Sequence, residues 1–178
     1  MDESNKTDLS NLSQEARILR RKIRLIILFF MVALILSGVT AIPLTWELGI
    51  LTDLVGVDTD QPIDNYSGLQ YWLAYVHEGL VQTDAKYPFI AYGNDWLAFA
   101  HFVIAVAFIG PWRDPVRNIW VVDWAMIACI GIFPLALIFG PFRGIPFLWQ
   151  LVDCSFGFFG FFVLLWLRIN IRQLEKCE

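Results

Sequence analysis

Three ionisable residues, His101, Asp123 and Asp153, stand inside long apolar stretches of this 178-residue chain. A charge in hydrocarbon is costly, and such residues are kept with a partner or a task. Their types limit the chemistry open to them. An imidazole oriented by a carboxylate can relay a proton, which makes His101 and Asp153 the candidate catalytic pair. With Glu47 and His77 added, two imidazoles and two carboxylates make a candidate zinc or iron site. His77 and His101 are the only histidines, so a haem with two axial imidazoles would use both. No fixed-spacing ligand motif such as HExxH is present. The neighbours His77 and Glu78 diverge by about 100° on a helix, so they do not substitute for one.

The elements that must carry these residues are legible from hydropathy. The chain is 57% hydrophobic and only 17% charged. Four apolar runs, Leu25 to Leu44, Trp96 to Trp112, Ile119 to Phe139 and Phe147 to Leu167, each approach the length that crosses a bilayer core of about 30 Å. None alternates as a barrel strand does. The expected fold is an all-α membrane protein: four transmembrane helices in a bundle, with an N-terminal tail over 1–24 and a C-terminal tail over 168–178. The first run exceeds a signal peptide's apolar core and follows some twenty-four largely polar residues, so an uncleaved anchor is expected, although Val39-Thr40-Ala41 resembles a cleavage site.

Basic residues orient these spans. Lys6, Arg17, Arg20, Arg21, Lys22, Arg24, Arg113, Arg117, Arg168, Arg172 and Lys176 fall on one side, and only Lys86 and Arg143 on the other. By the positive-inside rule both termini are expected in the cytoplasm and the loop 45–94 outside, and the simple topology suggests a bacterial inner membrane. Tryptophans near the span ends read as an aromatic belt rather than a ligand cage. The three cysteines have no paired spacing and read as small buried hydrophobes and one tail thiol.

Depth and facing separate the three intramembrane residues. At a rise of about 1.5 Å per residue, His101 and Asp153 both lie about 9 Å below the outer edge. Asp123 lies about 6 Å from the inner edge, where Arg117 or Arg168 would balance it. A structural pair of Asp123 with Arg168 is expected. Asn94, Ala98, His101 and Ala105 share one side of span two, and Asp153, Gly157 and Gly160 one side of span four. Small residues allow close helix approach, so both sides should face inward. Arg143, in the turn Gly140 to Pro146, and Glu47 stand near the same level.

The loop 45–94 is long for an unstructured connection. Leu69, Trp72, Leu73, Val76 and Leu80 recur at helical spacing, which predicts an amphipathic helix over Ser67 to Thr83, capped by Ser67, with His77 at the stripe edge. A second helix over Trp46 to Val55 is a weaker expectation. Pro134 should free the Ile130 carbonyl and kink span three.

Two functional classes follow. One is a membrane-bound enzyme or redox protein with an outer-leaflet His/carboxylate site that binds a metal or haem or relays protons. The other is an accessory or assembly subunit, a homo-oligomer or complex partner, whose intramembrane polar residues are structural. Transport ranks below both, since no repeat relates the two halves. No basic face is free of the membrane edge, so nucleic acid is not an expected partner.

Overall fold

A computed structural model describes the backbone of residues 3–177 and the side chains of 14–177. Lys6, counted above among the orienting charges, lies outside the described side chains. Among the described residues every regular element is helical. The long helices are α1 (Glu3–Ala41), α2 (Leu44–Leu54), α3 (Gly68–Lys86), α4 (Tyr92–Ala107), α6 (Ile119–Pro134) and α8 (Phe147–Cys177). Two short ones, α5 (Ile109–Arg113) and α7 (Gly140–Phe142), lie in the connections between the last three long helices. Four described segments, Gln14–Ala41, Pro88–Arg113, Ile119–Phe142 and Phe147–Cys177, are long and apolar enough to cross a membrane. The chain is therefore an all-helical protein of the integral membrane class.

Residues 168–177, expected as a tail, continue α8 without a break. The cause is a stripe of Leu164, Leu167, Ile171 and Leu174, spaced by three and four residues, that is fully buried. The α1 helix likewise begins upstream of its apolar run.

The contacts divide the chain into two compact units, one of residues 1–31 with 106–178 and one of residues 32–105. In the first unit α6 and α8 pack along their lengths. Gly157 makes this possible: a Cβ there would lie 2.7 Å from the Cys129 carbonyl oxygen and 3.2 Å from the Ile132 side chain. Near the start of the same unit, Arg24 donates from Nε to the Trp112 carbonyl at 3.2 Å and stacks 5.5 Å from the Trp112 ring. Phe30 meets the fully buried Phe108 at 4.9 Å between ring centres.

Pro134 does more than bend α6. The backbone continues as a π-helical turn over Leu135–Phe139. Proline has no N–H to give its own turn, and the following Leu135 N–H is shared between the Gly131 and Ile132 carbonyls. The chain then turns through α7. Gly144 adopts φ 71°, which favours glycine, and the buried Gln150 donates to the Ile145 carbonyl at 2.8 Å.

In the second unit α1 stops at Ala41 because Pro43 disfavours a helical Ile42, and α2 begins afresh at Leu44. Upstream, Gly38 seats α1 against α4: its Cβ would fall 3.0 Å from the Ala98 carbonyl oxygen, 3.1 Å from His101 Cβ and 2.8 Å from the Phe102 ring. Gly38→Ala is expected to cost about 1–2 kcal/mol through overpacking. A melting curve in detergent unchanged by that substitution would contradict this packing.

Candidate functional site

The three intramembrane ionisable residues meet different fates. Asp123, on α6, accepts from Arg168 Nε of α8 at 2.6 Å. A carboxylate and a guanidinium on facing helices neutralise one another there and tie α6 to α8.

Asp153 lies on α8, six residues after its start. Its carboxyl group makes no hydrogen bond or ion pair within its own unit among the described residues. It lines a cleft of about 260 Å³ together with Arg143 and the π-helical residues Leu135, Ala136 and Phe139. The tight turn after α7 carries Arg143 to the rim, and Arg143 likewise has no side-chain partner within that unit. The cleft thus sets one carboxyl and one guanidinium on apolar walls, at a backbone irregularity of a kind found frequently at functional sites.

His101 is held by its own helix. Its Nδ1 donates to the Leu97 carbonyl one turn back at 2.8 Å. A carbonyl can only accept, so Nδ1 carries the proton and Nε2 is left as the basic nitrogen. Gly38 on α1 lies against the His101 Cβ and limits the room around it. The side bearing Ala98, His101 and Ala105 is a packed one: Ala98 is 1% and Ala105 2% exposed.

His77 occupies a different setting. Helices α2 and α3 form an antiparallel hairpin. Thr45 donates to Asp84 Oδ2 at 2.7 Å at one end, and Gln70 donates to the Val55 carbonyl at 2.7 Å at the other. Between them His77 Nε2 lies 3.4 Å from where a Gly49 Cβ would stand. The face of α3 toward α2 therefore centres on Leu73 and Ala74, both buried, whereas Leu69, expected on the apolar stripe, is 57% exposed. Ser67 stands at the helix start, but its hydroxyl makes no capping bond, and the helix runs on to Lys86.

Gln70, His77 and Asp84 form a polar set that apolar patterning does not register. They recur every seven residues, which places polar groups on one helical face at two-turn intervals. That spacing was the available signal for a hydrogen-bonded hairpin.

His77 and Glu78 also line a cavity of about 500 Å³ with Asp58 and Asp64 of the preceding loop. Glu47 lies in the first turn of α2, half-buried. Among the described residues no three His, Cys, Asp or Glu side chains gather closely enough to hold a metal ion. Within their unit His101 lies against Gly38 of α1 and His77 against Gly49 of α2.

No protein-family model, curated protein or solved structure matches the chain. Its class therefore rests on its own features: an all-helical fold with four helices fit to span a membrane.

Proposed function

We propose that this protein is a polytopic membrane protein that handles protons at the level of the outer leaflet, with the His101 imidazole and the Asp153 carboxyl as the groups that take and give them. The observation that carries this reading is the contrast between the two intramembrane aspartates. Asp123 is neutralised by Arg168 at 2.6 Å, whereas Asp153 makes no hydrogen bond or ion pair within its unit among the described residues. An intramembrane carboxyl without a structural counter-ion marks a functional position by default. The donated Nδ1 proton of His101 supports it further, since Nε2 is thereby the basic nitrogen.

A relay needs one oriented imidazole and one carboxyl. A metal centre at His77, His101, Asp153 and Glu47 would need three or more ligands gathered together, and a bis-histidine haem would need both rings on one iron. The relay asks for fewer gathered groups than either. The wider arrangement follows the charge bias: both termini in the cytoplasm, a four-helix bundle in a bacterial inner membrane, and the α2–α3 hairpin outside with the amphipathic α3 at the membrane surface.

Infrared spectroscopy of the full chain in lipid tests the reading. A protonated-carboxyl band should vanish in Asp153→Asn and change in frequency or pH dependence in His101→Asn. A band indifferent to both substitutions would leave the pair structural. The protein would then be better read as an accessory subunit of a larger membrane assembly.

A further inference from the structure

A second site is written on the first two turns of α4. Tyr92, Asp95, Trp96 and Phe99 are spaced by three and four residues and so share one face of the helix. They line a cleft of about 220 Å³. The rings are arranged as walls. Tyr92 and Trp96 meet at 6.0 Å between centres with planes 79° apart, and Trp96 and Phe99 at 5.8 Å and 89°. Near-perpendicular neighbours at this distance are edge-to-face pairs, and the ring faces left free carry partial negative charge. Asp95 adds a full negative charge, and its carboxylate has no hydrogen bond or ion pair within its unit among the described residues.

None of the three rings contributes to a core: Tyr92 is 60%, Trp96 56% and Phe99 55% exposed. Exposed rings at a span end suit an aromatic belt; a belt does not require the Asp95 carboxylate that lines the same cleft. The surroundings favour a cation as well. Residues 32–105 contain eight Asp and Glu against the single basic residue Lys86, and a field of one sign concentrates counter-ions. The face stands where the segment Pro88–Arg113 enters its apolar length, which is the level of lipid headgroups.

We infer that Tyr92, Asp95, Trp96 and Phe99 form a half-cage for an ammonium group, and that its occupant is the headgroup of a zwitterionic phospholipid. Aromatic faces bind quaternary and primary ammonium alike through cation–π attraction, and the Asp95 carboxylate supplies the counter-charge. The inference stands apart from the His101 and Asp153 reading and uses none of its residues.

The test is lipid selection by the full chain in nanodiscs of equal phosphatidylcholine and phosphatidylglycerol, read by native mass spectrometry. Wild type should retain phosphatidylcholine over phosphatidylglycerol by about fivefold or more, the worth of one good cation–π contact. Trp96→Ala and Asp95→Asn should each reduce that ratio toward one, and Trp96→Phe should keep part of it. Tetramethylammonium added to protein in pure phosphatidylglycerol vesicles separates the sources, because its methyl resonance broadens only if the cage takes a free ammonium ion. Broadening that needs Trp96, without any headgroup preference in the nanodiscs, would overturn the lipid assignment. Equal retention of both lipids, unchanged by Trp96→Ala and without broadening, would overturn the cage altogether.

Discussion

Gly157→Ala is expected to destabilise the chain by about 2–3 kcal/mol, at the upper end of overpacking costs. The added methyl would stand 2.7 Å from the Cys129 carbonyl oxygen. That oxygen belongs to the backbone of α6, so relief requires a shift of one whole helix against the other. Ile132 and Phe133 close the remaining directions, at 3.2 and 3.3 Å. Two neighbours serve as controls. A Cβ at Gly160 would meet only the Cys129 sulfur at 3.1 Å, an atom on a side chain that can yield, so Gly160→Ala should cost less. Gly131 has nothing within 4 Å of its would-be Cβ. There alanine should be neutral or stabilising by up to about 1 kcal/mol, through its better helix propensity. Chemical unfolding in detergent micelles orders the three variants. Equal losses at Gly157 and Gly131 would contradict the close α6–α8 seam.

The second large effect concerns the ion pair on the same two helices. Removing either partner should cost about 1–3 kcal/mol, because a charge is left at membrane depth without its counter-ion. The figure is set below that of a fully buried pair because the Arg168 and Asp123 side chains remain 38% and 39% exposed. The double substitution Asp123→Leu with Arg168→Met should recover much of the loss, since it leaves neither charge alone. A thermodynamic cycle over Asp123→Asn and Arg168→Met measures the coupling. Strictly additive losses would show that the two residues act independently, contrary to the 2.6 Å contact.

Much of this arrangement was legible in the residues, and where it was not the reasons are physical. Long apolar runs can satisfy their backbone groups in lipid only as helices, so the four spans read directly from hydropathy. The Gly157 approach also read directly, since small residues on one helical side mark a close neighbour. Pro134 announced a disturbance, but a missing N–H does not say whether the ladder bends or widens, and it widens into the π-helical turn. The α2–α3 hairpin was the hardest to see. Its seam is joined at both ends by side-chain hydrogen bonds from Thr45 and Gln70. Apolar periodicity does not register that polar set, and it puts Leu69 on the inner face, where it does not lie. Likewise the Nδ1 donation of His101 depends on a rotamer and the Leu97 carbonyl, which no spacing rule contains.

The proton handling proposed above rests on that imidazole and on the Asp153 carboxyl. With only two histidines in the chain, His77→Gln leaves a single imidazole for nitrogen-15 magnetic resonance of the protein in lipid. At a pH where the ring is neutral, the expected result is a protonated Nδ1 and an unprotonated Nε2, whose resonance moves when Asp153→Asn is added. A ring protonated at Nε2, or an Nε2 resonance unmoved by Asp153→Asn, would contradict the relay.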